Sequence, residues 1–266
     1  MNESPAQPWH HAEQGTGRPL ILLHGIGMSH VAWRPVMTLL ASAERRVIAF
    51  DIAGFGRTPA LPAGVVPTHA NLALALRESL HGLGVDEPAD LVGNSLGGQL
   101  ALEAAKIGLA RSVVALSPAG LWPGRDAPPQ VHATLRATRW AIRQMPHASE
   151  QVMRSALGRT LALMLPMTSR GWRLTRREAL EIAQVFAQAS AFEETLQAAT
   201  RFVDGRHLCV PITVAFGTRD WLLTRSCQRR DELPRHVRWV RPEGWGHVPM
   251  WDDPEGVAAL ILEGSA

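Results

Sequence analysis

The stretch Leu91-Val92-Gly93-Asn94-Ser95-Leu96-Gly97-Gly98 constrains the fold of this chain more than any other. An apolar run over 89–92 feeds a serine with glycine two positions before and two after it. An apolar pattern of helical spacing (Leu100, Ala101, Ala104, Ala105) then begins at once. A strand that becomes a helix within two or three residues forces its central residue into a strained backbone conformation, and the flanking side chains must be small for the turn to close. The serine hydroxyl is thereby held out at the tip of the turn, at the positive end of a helix. Ser95 is read as a nucleophile on this ground. Serine attacks poorly near neutral pH, so the rest of the chain must supply a base and an acid that orients it.

Short apolar runs at 20–23, 47–50, 113–116, 212–216 and 237–240 read as strands buried on both faces. Helical patterns between them, at 29–41, 68–83 and after Ser95, predict a parallel sheet covered on both faces, an α/β fold of three layers. Further helices are expected at 224–233 and from Pro254 to about residue 263. The first fifteen or so residues are polar and Pro-rich, with at most a short edge strand near 9–11. The strand rhythm stops between 121 and 206, where only amphipathic helix patterns occur, separated by Pro146 and Pro166. The expected organisation is a core of 1–120 and 207–266 with a helical cap of 121–206 inserted into it.

His24-Gly25, Asp51, Ser95, Asp220 and His247 all fall at the carboxyl ends of predicted strands, the edge where open parallel sheets bind ligands. Histidine is the expected base, since its ordinary pKa lets it take and return a proton near neutrality. Of eleven histidines, His247 lies in a Gly/Trp-rich loop after the last strand, whereas His10, His11, His69, His81 and His132 are expected to be solvated. Asp220 ends the penultimate strand and is the expected acid. Asp51 reads as an anchor for the 54–57 turn, Asp252 and Asp253 as caps of the last helix, and Asp204 as the alternative acid that keeps the same chain order. Backbone N–H groups of Leu96 and Ile26 are the expected oxyanion donors, Gly25 and Gly27 letting the latter approach. His24-Gly25-Ile26-Gly27 is not a dinucleotide loop, because His30 stands where the third glycine would be.

Composition excludes more than it assigns. No window approaches a membrane span, and the N-terminus has neither the basic start nor the apolar core of a secretory signal, so a cytoplasmic location is expected. Cys209 and Cys227 are far from metal-ligand spacing, and neither metal nor organic cofactor is called for. All but one of the 27 cationic residues are arginine, Lys106 being the exception. No basic run is interleaved with aromatics, so no nucleic-acid partner is expected. Homo-oligomerisation stays open.

Five segments together carry a resemblance: Leu22-Leu23-His24-Gly25, residues 51–56, Gly93 through Gly98, residues 217–220, and Gly246-His247-Val248-Pro249. In these the chain resembles the α/β-hydrolase superfamily over nearly its whole length. The serine sets it apart from the branches with aspartate at that position, the haloalkane dehalogenases and epoxide hydrolases. The resemblance implies a Ser95–Asp220–His247 triad and an acyl-enzyme. It also implies a leading two-strand hairpin, for which the nineteen residues before Leu20 leave little room. Gly-Asn-Ser-Leu-Gly-Gly resembles both small carboxylesterases and the hydrolases that cleave carbon–carbon bonds of anionic dienoates; asparagine at 94 is frequent among the latter. Those hydrolases commonly use a cap arginine, and the 121–206 segment has twelve arginines against seven carboxylates. The expected substrate is thus a small, mostly apolar ester, with a dienoate as the alternative. Acyl transfer or perhydrolysis, and a non-catalytic ligand receptor, are the rivals. Gly25, Asn94, Trp122, Arg139, Trp221 and Val248 are the expected pocket residues, although core packing accounts for most of the nine tryptophans.

Overall fold

The apolar runs become strands because each can bury both of its faces. In the computed structural model, which describes residues 8–164 and 167–266, seven strands form one sheet. They are β1 (His11–Gln14), β2 (Arg18–Leu23), β3 (Arg45–Phe50), β4 (Ala89–Asn94), β5 (Ala110–Leu116), β6 (Ile212–Ala215) and β7 (Arg238–Val240). Their order is β1-β3-β2-β4-β5-β6-β7, with β1 antiparallel to β3 and every other pair parallel. Successive side chains point to opposite faces. Ile21, Leu23, Ile48, Phe50, Leu91 and Val113 therefore pack in one layer with helices α2 (His69–His81) and α3 (Leu96–Lys106). Leu20, Leu22, Val47, Ala49, Val92 and Val114 pack in the other with α1 (Arg34–Ala41) and α9 (Pro254–Gly264). Leu20 through Leu23 are wholly buried, each contributing roughly 2 kcal/mol of transfer free energy.

Among the described residues, five α-helices stand between β5 and β6: α4 (Pro129–Gln144), α5 (Pro146–Arg154), α6 (Ala156–Met164), α7 (Arg176–Gln188) and α8 (Phe192–Ala198). Pro146, which has no N–H to give, opens α5, while Pro166 lies outside the described residues. A single bridge, Asp126 with Thr200, joins the two ends of the insertion.

Two expectations are corrected, those for residues 224–233 and for His69. The 224–233 segment forms only a 3₁₀ turn, Arg225–Cys227. Its buried side chains, Cys227 and Leu233, are six apart and cannot share one helical face. The leading hairpin is reduced as the short N-terminal stretch suggests: among the described residues one short strand precedes β2, and it pairs with β3 at the sheet edge. His69 is buried in the first turn of α2 with its Nε2 unpartnered, instead of solvated.

At the amino ends of the strands, the buried Asp90 carboxylate gathers Arg18, Arg45 and Arg111 at 3.0, 2.8 and 2.9 Å and accepts from Ser112 Oγ at 2.7 Å. At the carboxyl ends the fastener is His24. Its Nδ1 meets the Gly25 carbonyl at 2.7 Å, and its Nε2 accepts from the Ile52 N–H at 3.0 Å, an arrangement that only the neutral Nδ1–H tautomer satisfies. Burial pushes His24 down to about 4 and His69 down to about 3. The unfolded chain binds protons at these residues below about 6.5 while the native protein does not, so stability falls as pH drops from there toward about 4. The loss expected for His24 is on the order of 3 kcal/mol. Urea midpoints measured across this window should fall with pH, and His69→Leu should flatten the slope. A midpoint independent of pH would mean that both rings are charged in the native protein.

Candidate active site

The turn from β4 into α3 closes because nothing projects from its glycines. A Cβ on Gly93 would lie 2.0 Å from the Gly97 carbonyl oxygen, and one on Gly97 would lie 2.0 Å from that of Leu23. Ser95 between them has φ 55° and ψ −113°, a conformation an L-residue holds only when its surroundings impose it. They do so by hydrogen bonds: Ser95 N–H donates to Leu116 O at 3.0 Å, Ala119 N–H donates to Ser95 O at 2.9 Å, and Gly97 N–H donates to His24 O at 3.0 Å.

Asp220 and His247 arrive on adjacent loops. His247 Nδ1 is 3.0 Å from Asp220 Oδ2, both residues being buried, and Asp220 Oδ1 accepts from the N–H groups of Leu222 and Leu223 at 3.1 and 2.8 Å. The two loops are joined by Arg219 N–H to Trp245 O at 2.9 Å and by Gly244 N–H to Thr218 Oγ1 at 2.8 Å. A third tie comes from the serine turn, where Asn94 Nδ2 donates to the His247 carbonyl at 2.8 Å and to Leu116 O at 3.1 Å. Asp204, the alternative acid, is exposed.

Ser95 and His247 line one cavity of about 360 Å³ that reaches between the sheet edge and the inserted helices. Gly25, Ile26, Asn94 and Val248 line it too. Among the described residues the buried Asn94 Oδ1 has no partner, and a Cβ on Gly25 would lie 3.3 Å from it and 3.4 Å from Ser95 Cβ. Leu96, the residue after the serine, opens α3, and among the described residues neither its N–H nor that of Ile26 has a protein acceptor.

Three expected pocket residues are elsewhere. Trp122 is 2% exposed and belongs to the core beside α3 and α8. Trp221 is 55% exposed and is not among the residues that line the cavity. Arg139 lays its guanidinium on the Phe192 ring, 4.6 Å from the centroid, and donates to Ala189 O at 2.7 Å. It sits on α4, one position from the cavity-lining Thr138, so a shift of about 100° around the helix turns it away from the cavity and toward Phe192. Leu135, Ile142, Met153, Leu163 and Phe186 form the wall instead, and among the described residues no arginine lines it. These residues were already marked in part by the apolar stripes of the insertion; what the stripes could not say is which of them face a void.

Asp51 anchors loops, as its position after β3 suggests. Its Oδ1 accepts from His30 N–H at 2.7 Å and faces His30 Nδ1 at 2.8 Å, while Oδ2 faces His10 Nδ1 at 2.8 Å and accepts from Arg57 N–H at 2.9 Å. Burial alone would raise this carboxyl, but the hydrogen bonds from His30 and Arg57 hold it well below the usual carboxylate range. His10, His30 and Asp51 are near enough to share a metal ion, yet each ring nitrogen facing the carboxylate is already engaged with it. Asp252 does something its sequence position did not suggest. Buried beneath the His247 loop, it accepts from Gly246 N–H at 2.6 Å, Arg170 N–H at 2.8 Å, Ser169 N–H at 3.3 Å and Thr168 Oγ1, while Asp253 alone caps α9.

Comparison with known proteins agrees with this architecture. The model of the Alpha/beta hydrolase family matches residues 20–260. Epoxide hydrolase EphH of Mycobacterium tuberculosis is 31% identical over 183 residues, 66% of this chain and 85% of that protein. The 2-hydroxy-6-oxo-2,4-heptadienoate hydrolase of Pseudomonas putida is 44% identical over 91 residues, 33% of this chain and 32% of that protein. Among solved structures, a serine hydrolase involved in carbazole degradation superposes with a TM-score of 0.71 at 23% identity, covering 95% of this chain and 92% of that one, a likeness of fold. With its sheet order, its serine turn and this family match, the chain belongs to the alpha/beta hydrolase family.

Proposed function

We propose that this hydrolase cleaves a small, neutral, mostly apolar carboxylic ester through an acyl-enzyme on Ser95. The observation that carries the reading is the joint placement of Ser95 and the Asp220-bonded His247 in a cavity whose wall, among the described residues, has no ionisable side chain besides His247. His247, held by Asp220 with Nδ1–H donating, has Nε2 free to take the Ser95 proton as Oγ attacks the ester carbonyl. The oxyanion that forms is received by the N–H groups of Ile26 and Leu96. His247 then returns the proton to the departing alcohol, and water repeats the sequence in reverse to free the acid. Asp220 keeps the imidazole oriented throughout, its other oxygen being held by two backbone donors.

The second reading is hydrolysis of a carbon–carbon bond in an anionic dienoate. It is supported by the match to the heptadienoate hydrolase and by Asn94, whose unpartnered Oδ1 could accept from a substrate hydroxyl beside Ser95. The apolar wall counts against it, since burying a carboxylate without a cationic partner costs several kcal/mol. The likeness to an epoxide hydrolase extends over more of the chain, but at the turn this protein offers a hydroxyl.

An organophosphonate probe should add its mass to Ser95, and Ser95→Ala should lose the label together with about 10⁴-fold or more of kcat. Labelling elsewhere would reject the nucleophile. Asp220→Asn, which keeps the shape and leaves the imidazole without its anionic partner, should lower kcat by roughly 10³–10⁴-fold with little change in KM. Among p-nitrophenyl esters, butyrate should be turned over far faster than the hemisuccinate of similar length. The opposite order would favour the dienoate reading.

A further inference from the structure

Helix α6 is apolar on more than the face it buries. Leu163 is buried and, with Ala162, lines the cavity, yet Leu157, Leu161 and Met164 are 69%, 62% and 42% exposed. Their spacing of four and then three residues makes a single strip along the helix. A helix that is apolar around most of its girth belongs where both sides are covered, and here one side is not. The strip is continuous with the mouth of the cavity. Val152 and Met145 line the cavity and are themselves more than two-fifths exposed, and a Cβ on Gly158 of α6 would lie 2.0 Å from the Val152 carbonyl oxygen. On the other flank the turn Gly171–Arg173 packs on α6, with a Cβ on Gly171 falling 2.6 Å from Arg159 O, and carries the half-exposed Trp172.

Charge indicates what covers this face. Arg154 and Arg173 are exposed on α5 and on the turn that packs against α6, Arg143 and Arg177 are exposed on α4 and α7, which pack on α5, and among the described residues Arg143 and Arg177 have no salt-bridge partner. The 121–206 segment holds twelve arginines against seven carboxylates, while the chain as a whole is only +3. A second copy of the chain would bring this cationic rim against itself. The strip and its flanks also amount to a handful of side chains, against the roughly 20–30 per side of a stable protein interface. An anionic lipid surface suits both features: apolar side chains enter the acyl boundary, Trp172 sits at its edge, and arginines meet phosphates. We propose that the α5–α6 face of this protein docks on anionic lipid bilayers, turning the mouth of the cavity toward substrates dissolved in them. The docking does not depend on the hydrolase reading and is testable apart from it.

The test is sedimentation of the Ser95→Ala protein with phosphatidylglycerol vesicles and, separately, with phosphatidylcholine vesicles. Binding to the anionic vesicles should be strong, should weaken as salt rises from about 0.1 to about 0.5 M, and should exceed binding to the neutral vesicles severalfold. Leu157→Ser with Leu161→Ser should weaken it by roughly tenfold or more. That pair should leave the circular dichroism spectrum and the melting temperature unchanged, which shows that the variant folds. Arg143→Gln with Arg177→Gln, a surface change that spares the strip, should bring binding to the anionic vesicles toward the neutral level. Failure to sediment with either vesicle, or equal binding by the serine pair, would overturn the proposal. So would a dimer by light scattering that the serine pair dissolves, since the strip would then be an interface between copies.

Discussion

Everything at the site depends on how closely β4 and α3 can approach. The main chain of Gly93 touches that of Gly97, and Gly97 touches Leu23, at distances that leave no room for a methyl group. This packing sets φ of Ser95 to 55°, and hydrogen bonds from the ends of β2 and β5 hold it there. A strained residue costs on the order of 1–3 kcal/mol and persists only where its surroundings over-determine it. Here two neighbouring strands and the loop at Ala119 supply that determination. The Ser95 hydroxyl is therefore positioned by the sheet itself, while His247 and Asp220 arrive on loops.

Most of this was legible in the sequence where the signal was local. Glycines at 93, 97 and 98 implied a close approach, and continuous apolar runs implied strands buried on both sides. The capping residues Thr68 and Asp253 mark the starts of α2 and α9. What the sequence withheld depended on tertiary context. Residues 224–233 have the composition of a helix but no apolar face to pack, so the chain there follows the hydrogen bonds of Asp220 and the 3₁₀ turn instead. His69 sits among residues that read as a solvated helix start, yet the layer beneath α2 swallows it. Arg139 falls at the edge of the apolar stripe that faces the cavity, and the rotation of α4 sends it to Phe192.

Two buried carboxylates brace the sheet at its opposite ends, each in a manner suited to its edge. Asp90 is met by arginines, whose planar forks reach it from three strands and fasten Arg45 and Arg111 to the carbonyl of Ser265 at the end of α9. Asp51 is met by two imidazoles and two backbone N–H groups, shorter-range donors that fix loops instead of spanning strands. Removing either acid would leave buried donors unanswered, a larger loss than the net worth of any one bond. The arginine-rich composition thus has one structural use at the amino edge and another on the insertion, where Arg136, Arg154 and Arg176 pair with glutamates at the surface.

Asp252 joins parts of the protein that the chain order keeps far apart. It holds Gly246, next to His247, and residues Thr168–Arg170, where the chain passes between α6 and α7. Val248 adds a further tie, its N–H donating to Met167 O at 2.7 Å. The histidine loop and the middle of the insertion therefore form one mechanical piece, although the first counts as core and the second as insertion by position in the chain. Exchanging the insertion for that of a relative at the boundaries of 121 and 206 would cut through this piece. A chimaera that kept its histidine in register would have to carry the matching partner for Asp252, and the natural unit of recombination in this protein is the insertion together with residues 246–252.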